Sequence, residues 1–288
     1  MRGRSRVKRL LGFLLLTLAL RPRGGPIAST RGLLLSPFYL MRMYATAPAI
    51  AILPRAPITT SPVPGLTSLY HKSYRGPYGH AGYPGNCSGE FIKDLLRYFK
   101  PKRVLDPMTG SGTCADVCKE LGIECVNFDI RDGTDACDAK SYEGLGIFDF
   151  IWIHPPYWRQ KKYTADPRDL SACESLSGFL NRYHLLILRC EEALKKGGKL
   201  AILMGDYSDR EAGFVPLVYH TKRLAFAAGL KQACTDIIRF SHGASSGTKV
   251  YKSSFIPGLH DVCSIFEKID STKEMARVSH RGSPENPV

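Results

Sequence analysis

The most constraining stretch of the chain is Asp106-Pro107-Met108-Thr109-Gly110-Ser111-Gly112-Thr113. It follows a short apolar run, Arg103–Leu105, and opens a segment of helical spacing that reaches about Leu121. Glycine tolerates the backbone of a tight turn and lets a ligand come close to the main chain. A strand, a glycine turn and a helix in immediate succession commit the chain to a sheet whose parallel strands are joined by helices. Ligands in such sheets sit near the helix N-terminus, beyond the carboxyl ends of the strands. Gly110, Gly112 and Ala115 also satisfy the spacing G-x-G-x-x-G/A, a weak pattern on its own. The Asp-Pro ahead of the loop argues against a pyrophosphate, because a carboxylate there suits a ligand carrying an ammonium group. Asp129, seventeen residues past Gly112, stands where an acid takes ribose hydroxyls. The alternative is a structural turn with Asp129 as a helix cap.

The rest of the core continues the alternation. Phe91, Ile92, Leu95, Leu96 and Phe99 fall on one face of a helix over Glu90–Phe99, with Ser88 as its N-cap. Strands are expected at Cys125–Phe128, Phe148–Ile153 and Lys199–Met204, and late ones at Asp236–Phe240 and Val262–Glu267. Helices are expected over Phe179–Leu194, closed by Lys195, Lys196 and Gly197, and over Val215–Gly229. The residues that carry chemistry stand at strand ends: Asp106, Asp129, His154 and Asp206.

The second anchor is His154-Pro155-Pro156-Tyr157-Trp158, directly after the apolar strand. Two prolines stiffen the backbone and keep nearby carbonyls out of a regular ladder. Those carbonyls can accept hydrogen bonds from a ligand, and Tyr157 and Trp158 offer flat faces for a base. An exocyclic base amine is a poor nucleophile, since its lone pair is delocalised into the ring. Two acceptors holding its hydrogens localise that lone pair for an in-line displacement. A base must leave a duplex to reach such a site.

Charge says less than it first suggests. The formal net charge is +14, but the 12 Lys and Arg before Glu90 face no acidic residue, and the remainder carries 28 basic and 26 acidic residues. The basic excess therefore belongs to the N-terminal part. Residues 1–42 form a basic, signal-like or non-native extension, with translation beginning at Met41 or Met43 in the second reading. Its apolar run Leu10–Leu20 rises only ~16 Å as a helix, too short to span a bilayer. Residues 43–82 read as a proline-rich arm or linker, 83–268 as the catalytic domain and 269–288 as a disordered tail. The nine cysteines form no C-x-x-C pair and read as reduced thiols of a cytoplasmic protein, with no metal site.

Asp106–Thr113 resembles the D-P-F-x-G-S-G-T motif of the amino-methylating DNA methyltransferases, which act on adenine N6 or cytosine N4. His154–Tyr157 resembles their [D/N/S]-P-P-[Y/F/W] motif, and Trp158–Tyr163 is similar to a continuation found in some members. The resemblance covers about Tyr83 to Lys268. It implies an α/β, Rossmann-like methyltransferase fold: a mostly parallel twisted sheet, helices on both faces and an antiparallel last strand. It implies S-adenosyl-L-methionine as methyl donor and DNA as partner. Carried over, Asp106, Met108, Gly110, Ser111, Gly112, Thr113 and Asp129 hold the cofactor, with Asp129 on its ribose. His154, Pro155, Pro156 and Tyr157 grip the base, and Tyr83–Ser88 matches, poorly, the segment on the cofactor's other side. Trp158, Arg159, Lys161, Lys162 and Tyr163 are expected to contact nucleic acid, as is the segment Phe240–Pro257; the alternative is a set of solvated loops.

Position 154 departs from the family, which has Asp, Asn or Ser there. A neutral imidazole keeps one acceptor nitrogen and can take an amine hydrogen, whereas a protonated one cannot. In the other reading His154 only ends the strand and a proline carbonyl does the accepting. No Pro-Cys pair occurs, which argues against the covalent route to cytosine C5. Three competing functions stay open: an RNA methyltransferase acting on guanine N2 or adenine N6, a non-catalytic nucleic-acid-binding protein of the same fold, and a nicotinamide oxidoreductase.

Overall fold

The computed structural model describes residues 57–240, 256 and 258–270. The expected extension 1–42, the start of the arm, most of the segment Phe240–Pro257 and nearly all of the expected tail lie outside the described residues.

Four parallel strands form the heart of the sheet: β2 (Arg103–Asp106), β3 (Glu124–Asn127), β4 (Phe148–Ile153) and β5 (Leu194–Met204). The chain runs from β2 to β3 on one side and then crosses to β4 on the other. The order is β1-β9-β10-β5-β4-β2-β3, with β8 also on β10. β1 is Leu69–Tyr70, β8 Leu230–Gln232, β9 Ile237–Phe240 and β10 His260–Lys268. β10 runs antiparallel to all its neighbours. This is the expected α/β, Rossmann-like sheet with an antiparallel last strand. Its strand order reverses between β2 and β4, and a crevice at such a switch point is where open α/β sheets bind ligands.

Helices cover both faces. On one, α1 (Gly89–Phe99) and α2 (Thr113–Leu121) bury Phe91, Ile92, Leu95, Leu96 and Val117 against Val104, Phe150, Trp152, Leu203 and Ile265. On the other, α3 (Leu176–Ala193) and α4 (Leu217–Ala227) bury Phe179, Tyr183, Leu186, Ile187 and Leu224 against Ile151, Ile153, Leu200 and Ile202. Strand residues alternate between the two faces, so β4 needs apolar side chains at nearly every position. Each such buried side chain contributes roughly 1.5–3 kcal/mol. No helix among the described residues is long and apolar enough to cross a membrane.

Several boundaries differ from expectation. Lys195, Lys196 and Gly197 do not close α3; they belong to β5, which begins at Leu194. The register against β4 jumps there from Phe148↔Leu194 to Phe150↔Lys199. Lys195 pairs with Asp149, whose Oδ2 also accepts the Lys102 and Arg103 amides at 2.8 Å. Val215 lies in a hairpin of β6 (Tyr207–Asp209) and β7 (Gly213–Val215), and α4 starts only after Pro216. Ser88 stands at the N-cap of α1 but its side chain makes no cap bond; the Oγ is buried without a partner. Asp206 accepts the Val218 amide at 2.9 Å and so caps α4.

The cysteines hold a surprise. Cys114 and Cys118 on α2 meet Cys125 of β3, with the three sulfurs within 4.8 Å of one another. Hydrogen bonds from Cys114 and Cys118 pull the Cys125 thiol well below the ordinary cysteine range.

Candidate functional site

One cavity at the carboxyl ends of β2, β3 and β4 joins the two sequence anchors. Asp106, Met108, Gly110, Ser111 and Thr113 of the glycine loop line it, with Asp129, His154, Pro156 and Tyr163. Tyr83 to Cys87 close the facing wall. Gly112, Pro155, Tyr157, Trp158, Arg159, Lys161 and Lys162 do not line it.

The loop is built for close approach. Gly110 and Gly112 have φ of +53° and +86°, a region costly for other residues. Gly112 is the N-cap of α2, and Thr113 Oγ1 donates to Asn86 Oδ1 at 2.6 Å, tying the loop to the facing wall. Asp129 pins the loop from the other side. Its Oδ2 accepts the Gly110 amide at 2.9 Å, while Oδ1 accepts the amide and the Nε of Arg131 at 3.1 and 2.7 Å. Asp129 thus caps the turn Ile130–Asp132 and also lines the cavity, so the two sequence readings of it are compatible.

At the floor lies Asp106, only 3% exposed. Its carboxylate accepts one amide, from Met108 at 3.2 Å. Burial drives its pKa well above the ordinary range, opposed by the Met108 hydrogen bond and reinforced by the charges of Cys125 and Asp129. Burial makes the charged form costly, a cost that a cation beside the carboxylate would offset. Thr109 also lines the cavity, and its Oγ1 is buried without a partner. Both features fit a ligand with an ammonium group and hydrogen-bonding atoms, as S-adenosyl-L-methionine has.

Arg131 was invisible to sequence reasoning. Its guanidinium lies 5.0 Å over the Tyr83 ring, pairs with Asp129 and donates to the Gly110 carbonyl. Tyr83 in turn stacks on Tyr163 at 5.9 Å. These rings make an aromatic wall. Tyr83, from the segment Tyr83–Ser88 that is poorly matched by motif, supplies that wall together with Tyr163.

His154 enters the cavity at the end of β4. Its Nε2 lies 3.1 Å from the Tyr157 hydroxyl. Behind Tyr157 stand Gly205 and Asp261: a Cβ on Gly205 would lie 2.6 Å from both Tyr157 Cε2 and Asp261 Oδ1. Asp261 pairs with Arg239 at 2.7 Å. Arg239 is 4% exposed, with Nε and Nη1 buried and unpartnered. A charged residue inside the apolar strand Ile237-Ile238-Arg239-Phe240 was the one signal in the sequence that pointed here.

Trp158 corrects an expectation. It is 3% exposed, packs in the core beneath α3 and donates Nε1–H to the Cys173 carbonyl at 2.9 Å. It presents no face to the cavity. Its φ of +50° is unusual for a bulky residue and turns the chain so that Tyr157 and Trp158 part company. Arg159 is engaged as well: it grips Asp209 through Nε (3.0 Å) and Nη2 (2.7 Å) and meets Glu211 at 2.7 Å. Lys161 and Lys162 are exposed and make no ion pair among the described residues.

No protein-family model matches the chain, and no curated protein does. Solved structures that it resembles include TrmN from Thermus thermophilus, at 18% identity and a TM-score of 0.38, covering 65% of this chain and 50% of that one. TTHA0409, also from Thermus thermophilus and complexed with S-adenosyl-L-methionine, aligns at 15% identity and a TM-score of 0.35 over 65% and 59% of the two chains. A SAM dependent methyltransferase from Archaeoglobus fulgidus aligns at 21% identity and a TM-score of 0.39 over 63% and 95%. The chain thus spans half the length of TrmN and somewhat more of TTHA0409.

Proposed function

We propose that this chain is a cytoplasmic, S-adenosyl-L-methionine-dependent methyltransferase acting on an exocyclic amine of a nucleic-acid base, adenine N6 or cytosine N4 in DNA. One observation carries the reading: a single cavity runs from the buried Asp106 carboxylate and the glycine loop to His154 and Pro156.

In this reading Asp106, Thr109, Gly110 and Asp129 hold the cofactor, which when bound supplies a methyl group on a sulfonium. Asp106 binds the ammonium and is kept ionised by it. The Tyr83–Tyr163 wall excludes water from one side. His154 and a carbonyl of the Pro155-Pro156 turn orient the base amine by accepting its two hydrogens, so that its lone pair faces the methyl group. After transfer the methylated amine carries one proton too many, and the acceptor nitrogen of His154 takes it. Lys161 and Lys162 lie beside the motif, where a phosphate backbone passes.

The test is nucleoside mass spectrometry of DNA and RNA from cells making the full chain, against a Pro155→Ala, Tyr157→Ala control, with calorimetry of cofactor binding. A methylated adenine or cytosine present in DNA with the native chain alone supports the reading. A mark confined to RNA moves the substrate to RNA, and no distinguishing mark with either polymer removes the catalytic reading.

A further inference from the structure

Three of the nine cysteines meet just past the glycine loop. Cys114 and Cys118 stand four residues apart on α2, so their sulfurs share one face of the helix. Gly122 ends that helix at a left-handed φ of +66°, and the Ile123 amide donates back to the Cys118 carbonyl at 2.9 Å. This turn folds the chain straight back against the helix, and β3 brings Cys125 up to the same two sulfurs. Cys114 and Cys118 are buried, Cys125 is partly exposed, and none is in a disulfide. Among the described residues no other group of three His, Cys, Asp or Glu ligand atoms converges in this way.

We propose that Cys114, Cys118 and Cys125 bind one zinc ion, with a water molecule as its fourth ligand, and that the ion staples α2 to β3. This goes beyond methyl transfer and does not rest on it.

Thiolate sulfur is a soft ligand that selects zinc over the hard cations magnesium and calcium. A zinc–sulfur bond of about 2.3 Å sets tetrahedral sulfurs about 3.8 Å apart. The three sulfurs already lie within 4.8 Å of one another, so side-chain rotation closes them on an ion. The exposed side of Cys125 leaves room for solvent, which makes three protein ligands and one open place. An iron–sulfur cluster takes four cysteines and fits this set less well. On binding, three S–H bonds break and three zinc–sulfur bonds form. The protons pass to water, waters leave the shell of the ion, and no oxidation state changes. Cys125, drawn toward the thiolate by hydrogen bonds from Cys114 and Cys118, meets the ion first. The dication offsets the charge that three thiolates would otherwise bring together in the core. Its place also bears on the loop. β3 leads into Phe128, whose carbonyl accepts the Thr109 amide at 3.1 Å, and into Asp129, which accepts the Gly110 amide. α2 leaves directly from Gly112. The ion therefore joins the two elements between which the loop is strung.

Cobalt(II), a spectroscopic stand-in for zinc, tests this on the full chain, reduced and stripped by a chelator. A thiolate-to-cobalt charge-transfer band should appear, saturate at an equimolar amount and vanish when zinc is added. Cys118→Ser and Cys125→Ser, checked for folding by circular dichroism, should lose the band. Their zinc affinity should fall by more than the roughly 10–100-fold that losing an outer-shell partner costs. Cys234→Ser, at an exposed cysteine elsewhere, should keep both. Zinc should raise the thermal midpoint of the native chain and leave that of Cys125→Ser where it was. Where a serine variant does not fold, the native chain decides alone: zinc should protect all three cysteines from iodoacetamide, as peptide mass spectrometry reads. No band, a band that needs cobalt in large excess, a band that survives both folded variants, or alkylation indifferent to zinc overturns the proposal.

Discussion

At the scale of the residue, the site trades stability for binding. Asp106 sits buried with one amide for company, so its ionised form is costly in the empty protein. Asp106→Asn should raise the thermal midpoint of the cofactor-free chain and lower affinity for S-adenosyl-L-methionine by roughly tenfold to a hundredfold, the worth of a charge-assisted bond of about 1.5–3 kcal/mol. Differential scanning and titration calorimetry on the same samples check both. The sign at low pH follows: a carboxyl with a raised pKa binds its proton early, so cofactor affinity should weaken on acidification before the ordinary carboxylates titrate. Gly205 is a tight point behind the site. Gly205→Ala forces a methyl group to 2.6 Å from Tyr157 and Asp261, and such overpacking costs typically about 1–3 kcal/mol. Chemical denaturation should show that loss.

At the scale of the element, the sequence was most legible where packing is strictest. β4 lies where its strongly apolar run, interrupted only by Asp149, placed it, because a strand covered on both faces can hold little else. α1 and α2 began and ended within a residue of expectation, since the amphipathic face and the glycine loop bound them. The hairpin β6–β7 was missed: three-residue strands leave too short a period to read. Trp158 was misjudged because its placement depends on one left-handed residue, which composition does not announce. The hairpin matters through Asp209. Arg159 chiefly, with the Glu211 and Ala212 amides and Tyr207, holds that carboxyl far below the ordinary range. A depressed carboxyl contributes stability above its unfolded value and loses it as pH falls through the folded one. Arg159→Gln should therefore lower the thermal midpoint at neutral pH, and the gap to the native chain should shrink below about pH 4. Cys125 is the other element-scale surprise, since nothing in the spacing of Cys114 and Cys118 foretold a third sulfur from the next strand. Partly exposed and drawn toward the thiolate, it should alkylate before Cys114 and Cys118, which peptide mass spectrometry after brief iodoacetamide treatment would show.

At the scale of the whole molecule, the cavity lining all comes from one continuous stretch, Tyr83 to Asp169. The parts that bear on the acceptor end from behind, Gly205, Arg239 and Asp261, come from the later stretch. The two are joined along β4 and β5, whose pairing runs from Phe148↔Leu194 to Ile153↔Ile202. This division has a practical consequence. A substitution after Asp169 replaces no residue of the cavity lining and acts on the site through a neighbour, as one at Gly205 acts through Tyr157.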